Sequence, residues 1–278
     1  MISKIIPAIF EISRPVNVLI TMISIFVAVV ITGTLYPLYK VLLACISGGI
    51  IMAGSNTIND YFDLDIDRVN RPGRPLVLGK LTPWQAWIIA WIEFCLGTLL
   101  SLFINFSAFL IALIVSGFMF LYSYRLKRLP LVGNLAVSFA TAMAFIYGGV
   151  AVNRIKEAFI PAVLAFFFHF GREIIKDLQD REGDAHGSAR TFPLVYGEIA
   201  GLGLTNAIFL ILLIILPIPF LFEWYGGAYM LVIATGVYPV LIYVTFSMWK
   251  NRSPKNLGFL SNLLKADMLV GLLAIYLG

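Results

Sequence analysis

The chain has 278 residues, of which 60% are hydrophobic and 13% charged, with a net charge of +5. Soluble domains carry about 25% charged residues, so this composition excludes an ordinary soluble globular protein and leaves no basic soluble domain for a nucleic acid. Cys45 and Cys95 form neither a disulfide framework nor a thiol–metal spacing, and both are expected as small buried side chains.

A helix needs about 20 residues to cross a hydrocarbon core. Nine apolar runs of that order are predicted as spans, at 15–34, 38–62, 84–104, 106–125, 131–150, 157–179, 198–222, 225–249 and 259–277. They use most of the chain. The expected fold class is therefore all-α, a single polytopic intramembrane domain over 1–278 with nine transmembrane helices around a central cavity. The first run has no small-residue cleavage site and is followed at once by another, so it reads as a retained helix. With the N-terminus inside, Lys40, Arg154 and Lys156 fall on the outer face and the other 17 of the 20 basic residues on the inner one. Inner loops collect Lys and Arg, so a multi-pass protein of the cell membrane is expected, its working face toward the cytoplasm.

More than half of the fifteen acidic residues lie in two stretches, Asn59–Asp67 and Asp177–Asp184, at the inner ends of the second and sixth spans. Ionisable groups at a membrane are costly and point to function. Asp63 and Asp180 close spans of the same orientation, which suggests two four-helix units in parallel plus a ninth helix.

In the first stretch Asn59, Asp63 and Asp67 are spaced i, i+4, i+8 and project from nearly one helix face, while Asp60 and Asp65 point elsewhere. Oxygen ligands without nearby His or Cys favour a hard cation, and Mg²⁺ binds through one or two carboxylates plus substrate phosphates. Carboxylates at a helix C-terminus oppose the macrodipole, a conflict that a cation relieves. Pro72 and Pro75 then stiffen a turn that holds Arg71 and Arg74 close by, and arginine grips phosphate bidentately. Arg68 and Lys80 read as topology anchors.

In the second stretch Asp180 and Asp184 repeat the i, i+4 spacing with Asp177 a turn earlier, and Gly183 and Gly187 are expected to loosen the loop. Arg172, Lys176, Arg181 and Arg190 surround these acids. A metal–diphosphate complex on four carboxylates retains about −3 of charge that cations must offset. Arg71, Arg74, Lys176 and Arg190 are the candidates. His169 is expected as a satisfied core residue and His186 as solvated; neither has zinc or haem spacing. Tyr61, Phe62, Tyr122, Tyr124 and Tyr147 are candidate cavity-lining rings, useful beside a carbocation.

These residues resemble the UbiA superfamily of intramembrane prenyltransferases. The first motif of that superfamily stands here as Asn59, Asp60, Asp63 and Asp67, followed by Asn70-Arg71-Pro72-Gly73-Arg74-Pro75, and the second as Asp180 and Asp184. Tyr122, Tyr124, Lys127 and Arg128 follow the fourth span where the superfamily carries a Tyr–Lys element, here at altered spacing. The run Arg172-Glu173-Ile174-Ile175-Lys176-Asp177, with Glu182-Gly183-Asp184 and Thr191-Phe192-Pro193, looks like the archaeal branch of digeranylgeranylglyceryl phosphate synthases. The resemblance implies two Mg²⁺ on Asn59, Asp63, Asp67, Asp180 and Asp184, of which the four aspartates are also the expected catalytic residues. Arg71, Arg74, Lys176 and Arg190 would bind diphosphate, and Tyr122, Tyr124, Lys127 and Arg128 would serve acceptor or cavity. The implied donor is geranylgeranyl diphosphate and the acceptor geranylgeranylglyceryl phosphate, whose phosphate is expected on Arg125, Lys127 and Arg128. The competing expectations are an aromatic prenyltransferase of quinone or chlorin synthesis and, more remotely, a cation-coupled transporter.

Overall fold

A computed structural model describes residues 2–186 and 190–278. It is helical throughout, with no strand among the described residues. The helices are α1 (Ile2–Ile12), α2 (Pro15–Val30), α3 (Leu38–Phe62), α4 (Leu64–Asn70), α5 (Pro83–Ser101), α6 (Phe106–Tyr124), α7 (Val132–Ala151), α8 (Phe159–Gln179), α9 (Arg181–His186), α10 (Phe192–Tyr196), α11 (Glu198–Ile215), α12 (Ile218–Leu221), α13 (Gly227–Val232), α14 (Tyr238–Lys250) and α15 (Pro254–Leu277). A 3₁₀ turn, Leu126–Arg128, follows α6, and a π turn, Ile233–Val237, joins α13 to α14. Local sequence sets several starts. Thr82 and Gln85 cap α5 reciprocally at 3.2 and 2.9 Å, with Pro83 in its first turn. Asn105 and Ser253 accept from the first-turn amides of α6 and α15.

Seven helical bodies are long and apolar enough to cross a membrane, and an eighth is added if α1 and α2, bent by 52° at Ser13–Arg14, cross together. The expected sixth span, α8, has the length but carries Arg172, Glu173, Lys176 and Asp177 in its last two turns. Large apolar side chains face outward, Phe246 at 74% and Phe103 at 70% exposure among them, as lipid contact requires.

Two apolar clusters divide the interior. One joins α2, α3, α5, α6 and α7 through residues such as Ile25, Ile51, Phe94 and Met119. The other joins α8, α11, α14 and α15 through Ile174, Phe209, Leu241 and Leu260. Small residues set the close approaches within the first: a Cβ on Gly97 would lie 2.9 Å from the Ser47 carbonyl, and one on Gly148 2.6 Å from that of Ile25. Cys45 is buried as expected, whereas Cys95 is exposed on the outer face of α5.

Candidate active site

A cavity of about 580 Å³ lies between the two clusters, apolar in its depth and charged at one end. Both acidic stretches reach that end by the same local device. Asp63 follows α3 with φ −96° and ψ 5°, and Asp180 follows α8 with φ −92° and ψ 7°. Each is a one-residue break before a short helix, and the i→i−4 ladder runs through both breaks. The Asp63 N–H donates to Asn59 and the Asp67 N–H to Asp63, at 2.9 and 2.7 Å; the Asp180 and Asp184 amides do the same to Lys176 and Asp180, at 2.9 and 3.0 Å. The spacing read from sequence therefore survives the kinks. Asn59, Asp63, Asp67, Asp180 and Asp184 all line the cavity.

Cations tie the two stretches together. Arg71 holds Asp180 with both oxygens, at 2.9 and 3.1 Å. Arg74 bridges Asp60 and Asp67, each at 2.5 Å. Lys127 pairs with Asp63, which also accepts from Asn59 at 2.8 Å. Asp65 points away, as expected, and pairs at the surface with Arg68. Lys80 likewise pairs at the surface, with Glu11. Asp60 also turns from the cavity, but inward: it is 1% exposed and anchors both Arg14 and Arg74.

The electrostatics call for a further cation. Burial, then the charges of Asp180 and Asp63, push the Asp184 carboxyl up to about 7. Burial, opposed by Arg74 and reinforced by Asp60 and Asp63, pushes that of Asp67 up to about 6. Among the described residues no three His, Cys, Asp or Glu side chains converge tightly enough to hold an ion by themselves. An oxygen-only donor set split between two helix ends fits a hard cation that completes its shell with phosphate oxygens, the habit of Mg²⁺.

The structure corrects several expectations. Tyr122 and Tyr147 line the cavity, the latter hydrogen-bonded to Ser47 at 2.6 Å. Tyr124, two residues and thus about 200° further round the helix, is 55% exposed and packs outside on Phe62 and Phe120. Tyr61 and Phe62 join that outer cluster with Trp87. Arg128 lines the cavity, whereas Arg125 is exposed beyond it. Arg190 is also exposed, tied to the site through its backbone N–H on the Arg128 carbonyl at 3.0 Å. Lys176 lines the cavity but gives its ammonium to Glu173 at 2.8 Å. His169 is no satisfied core residue: it borders the cavity, and its buried Nδ1 has no partner among the described residues. Gly183 loosens nothing; it is buried within α9, where a Cβ would meet the Asn70 side chain at 2.2 Å. The side chain of His186 and all of Gly187 lie outside the described residues.

Sequence reading missed Arg14. It sits at the α1–α2 bend with φ 52°, beside a residue pinned from two sides. Asn56 donates to the Ser13 carbonyl at 2.8 Å, and the Ser13 hydroxyl donates to Glu93 at 3.0 Å. Only the bend itself, Arg14-Pro15 before an apolar run, was visible as a signal.

Known proteins are similar to this chain in sequence and fold. Residues 18–263 match the UbiA prenyltransferase family. The digeranylgeranylglyceryl phosphate synthase of Methanopyrus kandleri is 33% identical over 96% of this chain and 97% of its own. That of Thermococcus sibiricus is 35% identical over 96% and 95%. A solved digeranylgeranylglyceryl phosphate synthase structure matches 99% of this chain and 98% of its own at 30% identity, with a TM-score of 0.78. A UbiA homologue from Archaeoglobus fulgidus, solved with GPP and Mg²⁺, shares the fold at 22% identity over 95% and 99%, with a TM-score of 0.70. This multi-pass membrane chain belongs to the UbiA prenyltransferase family and is a prenyltransferase.

Proposed function

We propose that the protein transfers a geranylgeranyl group from its diphosphate to the free hydroxyl of geranylgeranylglyceryl phosphate, on the cytoplasmic side of the membrane. The observation that carries the reading is the junction of the two acidic helix ends by Arg71 and Asp180 at the charged end of the cavity. The names of the relatives support the acceptor, and the charge asymmetry of the loops supports the orientation.

Two Mg²⁺ would be held by Asp63, Asp67, Asp180 and Asp184, with Asn59 orienting Asp63. Bound there, divalent ions supply the neutralisation that admits an anionic donor and stabilises the departing diphosphate. The rest follows from the protein's own side chains. Without substrate, Asp180, Asp67 and Asp63 are paired with Arg71, Arg74 and Lys127. When the donor arrives, these cations turn from carboxylate to phosphate, and Arg128 joins them. Cations aimed at the leaving group stabilise the charge that develops as the C–O bond breaks. The apolar wall, including Ile111, Val115 and Met119, keeps water from the allylic cation. The ring of Tyr147 offers it a π face. The acceptor oxygen forms the new C–O bond to the allylic cation, and its hydroxyl, acidified on attack, gives its proton to the released diphosphate, so no strong base is needed.

The test is a competition. Purified protein receives geranylgeranyl diphosphate, Mg²⁺, geranylgeranylglyceryl phosphate and 4-hydroxybenzoate together, and products are identified by mass. The diether phosphate is expected. Preferential prenylation of the aromatic acid overturns the acceptor assignment and leaves the metal site standing.

A further inference from the structure

The cavity has a second cationic corner that donor chemistry leaves unused. It lies between α8 and α15, away from the break between α3 and α4. Arg172 is 13% exposed at its side chain; it gives Nε to the Ser261 carbonyl on α15 at 3.1 Å and Nη1 to Glu173 at 3.0 Å. Lys176, a turn later, takes the other oxygen of Glu173. On α15, Asn262 and Lys265 also line the cavity; Lys265 donates to Asn17 on α2 and feels the charges of Arg172, Arg14 and Lys176.

The local charges do not cancel. Arg14 is committed to Asp60, and Asp177 accepts from Asn134 on α7 at 2.8 Å. Arg172, Lys176 and Lys265 then face the carboxylates of Glu173 and Asp177, a surplus of one positive charge. Unbalanced buried charge is costly until an anion meets it. A phosphate monoester carries about −1.5 to −2 at neutral pH and offers three acceptor oxygens, which takes up the surplus and can meet all three cations at once. The corner also adjoins an apolar pocket of about 70 Å³, bordered by Ile20, His169, Met268 and the π-turn residue Ile233. π turns inside α-helices accompany functional sites.

We propose that Arg172 and Lys265, with Lys176 and the amides of Asn17 and Asn262, hold the phosphate of the isoprenylated glycerol acceptor, its apolar chain leaving toward that side pocket. This rests on the prenyl-transfer reading above and states where acceptor specificity is decided. It replaces Arg125, Lys127 and Arg128, which are exposed or lie with the donor site.

The experiment compares two acceptors, geranylgeranylglyceryl phosphate and its dephosphorylated alcohol, in the full-length protein with geranylgeranyl diphosphate and Mg²⁺. In Lys265→Gln and Arg172→Gln, the ratio of kcat/KM for the phosphorylated over the unphosphorylated acceptor falls by about tenfold or more, the scale of one charge-assisted hydrogen bond. The loss lies chiefly in acceptor KM, and donor KM stays within about twofold. Arg172→Lys, which keeps the charge, retains part of the ratio. Equal losses on both acceptors, or a donor KM that rises in step, overturn the proposal. Wild-type protein that ignores both glycerol lipids overturns the acceptor assignment itself, and is seen before any variant is made.

Discussion

Asp63 and Asp180 each follow the last turn of a long helix, where the macrodipole is negative. They are held there by borrowed cations, Lys127 and Arg71. Removing one carboxylate from such a pair frees a cation and deprives a metal of a ligand at once. Asp→Ala at 63, 67, 180 or 184 is expected to lower turnover by about 100-fold or more, the scale of one strong electrostatic contact. Near-normal product formation in two of these variants sinks the four-carboxylate site. Arg71→Lys and Arg74→Lys keep the loop charge but lose the bidentate fork. They should raise donor KM by about tenfold with membrane orientation unchanged in a protease-accessibility assay; a wild-type donor KM in both reduces these arginines to anchors. The acids were legible because an i, i+4 spacing survives a one-residue break that keeps the backbone ladder. Lys265 was not, because a lone Lys near a span end looks like a topology signal until α2, α8 and α15 are placed together, and Arg172 was legible only as one of the bases around the second acidic stretch. Tyr122 and Tyr124 were indistinguishable by residue type and are separated only by the face of α6 on which each falls.

The short helices α4 and α9 are the elements that make the site, since they carry Asp67 and Asp184 and meet each other directly. Their approach depends on Gly183, whose missing Cβ leaves room for Asn70, and Asn70 in turn donates to the Asp180 carbonyl at 3.3 Å. Overpacking a close contact costs about 1–3 kcal/mol, and here the strain falls on the site rather than on the bundle. Gly183→Ala is therefore expected to cut turnover by about tenfold and to lower the unfolding temperature in detergent by about 2–4 °C for each kcal/mol of strain. Combining it with Asn70→Ala makes room again, so the double variant should lose less than the two single effects predict, a coupling that double-mutant cycles read directly. Strictly additive losses argue that the two helices do not meet through this pair. Element by element, the apolar runs located the long helices well, because a helix hydrophobic all round has one home. The bend at Ser13–Arg14 was visible only as Arg14-Pro15 before an apolar run, and Asn56 and Glu93 hold it through Ser13; the kinks at Asp63 and Asp180 have no Pro or Gly at the break and were invisible.

At the scale of the whole molecule, two apolar clusters that share α2 and α7 flank a cavity whose charged end is closed by Asn70 and Arg71 of the first acidic segment on Asp180 of the second. A ligand held by both segments would staple the halves. Binding to the folded state alone stabilises by RT ln(1 + [L]/Kd), about 2.7 kcal/mol at a hundredfold excess over Kd. A kcal/mol shifts the melting point of a chain somewhat smaller than this one by about 2–4 °C, so a rise of about 5 °C is expected with a non-hydrolysable donor analogue and Mg²⁺ together. Neither alone should achieve it, since the analogue without metal meets uncompensated carboxylates and the metal without phosphate lacks ligands. Chelation should reverse the shift and abolish turnover. Asp184→Ala, which cuts the tie on the α9 side, should lose most of the rise while keeping its ligand-free melting point. An equal rise in wild type and Asp184→Ala places the ligand on the first acidic segment alone and removes the second from the metal site.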